Sequence, residues 1–281
     1  MKQARSRRPP NLNGINRQLF QISGRLEQAA CVSALDQSVG GRIIVSLFGK
    51  ARRTFRAIDL LKSKGFVEEG WALCRVLMEV TVNGLYFLKN DPAKMARRFV
   101  HAQIIESMKR ARGADFFQGT RLAAHFDRGA MEREFARLTS EYTQDEMKAI
   151  KKFGFTGLPF EQRANDVALG DMSIYYRLGS RNLHTFDPAD APAFAQMMGN
   201  ELGGRRALLK HRRLELDATQ NELLGSFSWA MNSLVGNPAT KDLLATSAAY
   251  RAFCESAWGT KASDRSDADS AAAVTAQGGV A

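Results

Sequence analysis

The stretch DMSIYYRLGSRNLH, residues 171–184, carries the side chains best suited to chemistry. On a helix Ser173, Arg177, Ser180, Arg181 and His184 share one face, because residues three, four and seven apart do so. An imidazole gives and takes a proton near neutral pH without special surroundings. A guanidinium holds a phosphate and the charge that develops on it. Together they suit the cleavage of RNA, with His184 moving the proton and Arg177, aided by Arg181, on the phosphate. The same residues also fit a surface helix whose terminal His184 lies favourably against the helix dipole. Spacing alone leaves both readings open.

Arg75 and Glu79 form a second constellation, four residues apart within the apolar run FVEEGWALCRVLMEVTVNGLYFLKN at 66–90. With Glu68 and Asn83 they draw a narrow polar stripe along an otherwise apolar helix. Stripping the partner from a buried charge costs about 3–5 kcal/mol. Arg75 and Glu79 are therefore expected to pair with each other or with a neighbour such as Arg52 or Arg53. The group is either a structural ion pair or the floor of a polar pocket, with Tyr176 and Ser180 as further candidates for its wall. Gly49-Lys50 resembles part of a phosphate loop, but Ile44 stands where its first glycine belongs and Ala51 where Ser or Thr is needed. His101, His125 and His211 have no partners nearby in sequence, and no carboxylate–histidine cluster has metal spacing. Neither a metal nor another cofactor is expected.

The elements that must position these residues read as helices throughout. The expected fold is all-α, a multi-helix bundle built on a long antiparallel helical hairpin. A first helix is expected over Ile15–Gln37, with Leu19, Ile22, Leu26, Ala29 or Ala30 and Val32 inward and Gly40-Gly41 as its stop. A second covers Arg42–Lys64 on the stripe Ile44, Phe48, Ala51, Phe55, Ile58 and Leu61, closed by Gly65 in a left-handed cap. The run at 66–90 returns at once, and Asp91-Pro92 opens a basic helix to about Arg112. Further helices are expected near 132–152, 161–169, 172–184, 189–199, 214–234 and 241–258, with Gly203-Gly204 breaking the chain. The domain reading is a basic arm at 1–12, one helical domain at 13–259 and a disordered tail at 260–281, poor in groups to bury.

A formal charge of +11 draws the protein toward polyanions, RNA among them. The three cysteines, Cys31, Cys74 and Cys254, lie far apart and fit a reducing compartment. The N-terminus has no apolar core of a signal peptide. The charges at Arg75 and Glu79 interrupt the longest apolar run, so no membrane span is expected. These features lead to the expectation of a cytoplasmic protein.

The run LFGKARRTFRAIDLLKSKGFVEEGWALCRVLMEVTVNGLYFL at 47–88, followed by YYRLGSRNLH at 175–184, resembles a bacterial helical family of unknown function. The positions that carry the resemblance are Arg52 or Arg53, Gly65, Glu68 or Glu69, Arg75, Glu79, Tyr176, Ser180 and His184. The later segment also resembles the HEPN superfamily, whose motif is an Arg, four to six residues, then a His. Arg177 and His184 match its longest spacing. Leu178 replaces the polar residue that usually follows the Arg. That resemblance implies a helical bundle, a homodimer, and a metal-independent endoribonuclease of a toxin–antitoxin or phage-defence system. The alternative expectation is a non-catalytic helical module that binds a protein, a small ligand or nucleic acid.

Overall fold

Asn11 starts the first helix by accepting the backbone N–H of Gly14 on its side-chain oxygen at 2.7 Å. The computed structural model describes residues 11–113, 128–177 and 201–258, and among them all regular structure is helical. Helix α1 covers Leu12–Val32, a 3-10 turn comes next at Ala34–Gln37, and α2 covers Val39–Ser63. The expected first helix thus ends early, because Ser33 caps the 3-10 turn and Ser38 caps α2. Gly40-Gly41 is not a stop but lies in the first turn of α2. A Cβ on Gly41 would sit 1.7 Å from the Leu35 carbonyl oxygen, so the glycine permits that close approach. Val32, expected in the apolar stripe, is 87 % exposed.

Gly65, at φ +90°, turns the chain from α2 into α3, Val67–Lys89. Helices α4 (Pro92–Gly113), α5 (Arg128–Thr139), α6 (Gln144–Phe153) and α7 (Phe160–Asp166) come next, then a helical stretch at 172–177. Helices α8 (Glu201–Leu234) and α9 (Thr240–Trp258) complete the described chain. Helix α8 runs straight through Gly203-Gly204, where a break was expected. Glycine's cost of about 1 kcal/mol in a helix is a weak preference that a long helix overrides. By length and composition α3 could cross a membrane, although half of its most apolar stretch is buried inside the protein.

The chain gathers into two compact units, one of Met1–Leu85 with Asp171–Ala281 and one of Tyr86–Gly170. In the first, α1 packs on α8, α9 and α2. Of the expected α2 stripe, Ile44, Phe48, Ala51, Phe55 and Ile58 are buried and Leu61 is half-buried, while Leu19, Ile22 and Leu26 of α1 are buried. Phe48 meets Phe227 edge to face at 5.1 Å. Both rings are fully buried. Gly84 of α3 faces the same ring, and a Cβ there would come within 2.3 Å of Phe227 Cζ. Gly84→Ala should therefore cost about 1–3 kcal/mol by overpacking. Thermal unfolding measures this, and Phe227→Leu in the same chain should restore part of the loss.

In the second unit, α5 and α6 are separate helices where one was expected over 132–152. Thr143 and Glu146 form a capping box that starts α6 afresh. On α4, His101 is only 5 % exposed and its Nδ1 lies 2.7 Å from Tyr142 Oη. Burial holds the imidazole below its ordinary value, against the pull of Glu141, while Arg97 and Arg137 act in the same direction as burial. The folded state thus binds this proton less readily than the unfolded chain. Its contribution is complete above about pH 6.5 and is lost as pH falls through the folded-state value. His101→Gln should flatten the dependence of the melting midpoint between about pH 7 and pH 5. An unchanged slope would assign that dependence to other groups.

Candidate functional site

Helix α3 lines up Glu68, Trp71, Arg75 and Glu79 at intervals of three and four, so they share a face. Two of them meet the helical stretch at 172–177, which Met172 anchors by its burial. Trp71 stacks on Tyr175, with ring centroids 5.8 Å apart and planes 13° from parallel. The Arg75 guanidinium lies 4.9 Å from the centroid of the Tyr176 ring. Its Nη2 also donates to Tyr176 Oη at 3.2 Å. Cation–π and hydrogen-bond contact therefore fix one arginine on one tyrosine.

At the start of the same face, Arg212 Nη1 donates to Glu68 Oε1 at 2.5 Å. That pair ties the basic segment RRALLKHRR, residues 205–213, to α3. Arg177 is exposed, and its Nε donates to Ser173 O at 3.4 Å within its own helix. Its charge faces solvent beside Tyr176.

Two donors on α3 stand out. Trp71 Nε1 and Arg75 Nε are both buried without a hydrogen-bond partner among the described residues. Trp71 as a whole is 4 % exposed. A buried donor left unsatisfied costs about 1–3 kcal/mol. The two sit one helical turn apart.

The structure thus brings together Arg75 and Tyr176 of the expected pocket, with Glu79 half-buried one turn beyond. It assigns Arg52 elsewhere. Arg52 forms an ion pair with Glu27, donates from Nε to Ser23 Oγ at 3.0 Å and lies over the Phe20 ring, all on α1. It lines a separate cavity of about 410 Å³ with Gly24, Glu27, Gln28, Cys31 and Val32. Arg53 is exposed. Arg75 thus takes Tyr176 as partner where Glu79 was expected, because the 172–177 helix covers that part of α3. Ser180, Arg181 and His184 lie outside the described residues.

Sequence reasoning missed Trp71 and Tyr175. The signal was present: Trp71 is one turn before Arg75 on the polar stripe, and Tyr175 adjoins Tyr176. It also missed a buried polar group on α1, α2 and α8. There Lys62 Nζ meets Asp59 Oδ1 at 2.9 Å and forms an ion pair with Asp217. Gln220 donates to both carboxylates at 2.9 and 3.2 Å. Asn16 donates to Asp217 and accepts from Asn221. Among the described residues no group of three or more His, Cys, Asp or Glu could hold a metal ion.

Residues 41–190 match the model of DUF5677, a family of unknown function. That span includes both α3 and the YYRLGSRNLH segment. No curated protein and no solved structure matches the chain.

Proposed function

Because the chain belongs to DUF5677, a family of unknown function, its own residues carry the assignment, and we propose that it is a HEPN-like protein that cleaves RNA without a metal. The observation that supports this reading is the contact of Arg75 with Tyr176. It joins the polar stripe of α3 to the helix that carries Arg177, in the segment that continues to Ser180, Arg181 and His184.

In this reading His184 removes the proton from a ribose 2′-hydroxyl, whose oxygen attacks the adjacent phosphorus. The bond to the 5′-oxygen breaks, and that oxygen leaves with a proton taken from water. Arg177 and Arg181 hold the non-bridging oxygens as charge builds on them. The products are a 2′,3′-cyclic phosphate and a 5′-hydroxyl. A homodimer would bring two such helices together, and RNA is the partner in keeping with a charge of +11.

The test is incubation of purified protein with total RNA in EDTA, beside the His184→Ala protein. EDTA-resistant cleavage that requires His184 supports the nuclease. Equal cleavage by both proteins removes the assignment, and no cleavage by either shifts it to a non-catalytic binding module.

A further inference from the structure

Resting on the RNA reading above, we infer that Trp71 Nε1 and Arg75 Nε together form a seat for one backbone phosphate of single-stranded RNA, with Tyr175 and Tyr176 as its aromatic cover.

Both donors are N–H groups, so whatever satisfies them must supply acceptors and need donate nothing. Arg75 carries a fixed positive charge, so an anionic acceptor is favoured over a neutral one. Trp71 as a whole is buried, so its donor is shielded from bulk solvent. Among the described residues no carboxylate has taken either position.

The surroundings select the anion. Tyr175 and Tyr176 are half-buried and lie directly over the two donor-bearing side chains. Arg177 is exposed on the next residue, and Lys210 and Arg213 are exposed on α8 near the Arg212–Glu68 pair. Aromatic rings beside cationic groups suit a chain that alternates phosphates with bases able to stack.

Occupation requires movement. Trp71 Nε1 and Arg75 Nε are shielded from solvent, so the tyrosines must shift for a phosphate to reach them. Trp71 is one of three tryptophans, and loss of its stack on Tyr175 should change its fluorescence.

The probe is a short oligoribonucleotide with 2′-O-methyl groups, which removes the attacking hydroxyl so that binding is read without cleavage. The wild-type chain should bind it with a change in tryptophan emission. Trp71→Phe keeps a ring against Tyr175 but deletes one donor, and should weaken binding by about tenfold or more. Arg75→Gln should weaken it at least as much. Trp229→Phe is the control, since Trp229 Nε1 has a partner in Ser247 Oγ. It should bind as wild type. Circular dichroism excludes unfolding as the cause of any loss.

Wild-type affinity in Trp71→Phe and Arg75→Gln, or no binding by the wild-type chain, would overturn the seat. Binding that depends on Trp71 in a chain that does not cleave natural RNA would keep the seat and end the nuclease reading. Cleavage that ignores Trp71 and Arg75 would do the reverse.

Discussion

On the proposed reading, exchanging His184 for alanine slows RNA cleavage by about 10²–10⁴-fold, the span expected when a positioned acid–base group is lost. The effect should fall on the chemical step, because an imidazole that moves a proton acts in the transition state and adds little to ground-state binding. Single-turnover rates at saturating protein separate the two. The rate should also follow pH through the titration of His184 in the wild-type chain and lose that limb in the variant. His211 is the matching control, since it is exposed and lies 3.2 Å from Glu215 on its own helix. His211→Ala should cleave as wild type does. A His184→Ala protein that cleaves at the wild-type rate would remove His184 from the reaction.

The largest effect on stability is expected at Lys62. It is 3 % exposed and stands between Asp59 and Asp217. Burial already pushes the Asp217 carboxyl above its usual range, although Lys62 pulls it the other way. Lys62→Met keeps the length and apolar stem of the side chain but leaves Asp217 buried without its cation. The expected loss is about 3–5 kcal/mol, as for other broken buried pairs. Asp217 can escape only by taking up a proton, so the loss should shrink as pH falls. The double variant Lys62→Met, Asp217→Asn should recover part of it, because it removes both charges. Urea midpoints of the single and double variants measure both effects. A single variant as stable as wild type would show that the lysine is dispensable to the core.

The fold was largely legible from spacing, and the reasons lie in particular residues. Ile44, Phe48, Ala51, Phe55 and Ile58 repeat at helical intervals and are buried together. Gly65 has the positive φ that its place after α2 implied. The misreadings came from glycine pairs and from a cap. Gly41 is there for a close approach to Leu35, and Gly203-Gly204 sit inside a helix. Thr143 and Glu146 carry a capping box within what looked like one continuous pattern.

The site was legible only in part. Arg75 declared itself as a charge in an apolar run, and Tyr176 as part of a resemblance, but nothing local joins residues 101 apart in the chain. The same holds for Lys62 with Asp217, 155 apart, and for Asn16 with Asn221, 205 apart. Pattern in a sequence reports which face of a helix is buried. It does not report which polar side chains from other helices meet there.

The central claim is that this chain cleaves RNA by internal attack of a ribose hydroxyl. The most direct measurement is the chemistry of the ends it leaves on a single-stranded RNA of defined sequence, cut in EDTA. Internal attack predicts a 2′,3′-cyclic phosphate or the 3′-phosphate derived from it, paired with a 5′-hydroxyl, and none of either from the His184→Ala protein. Products with a 3′-hydroxyl and a 5′-phosphate, or an RNA left intact by the wild-type chain, would contradict it.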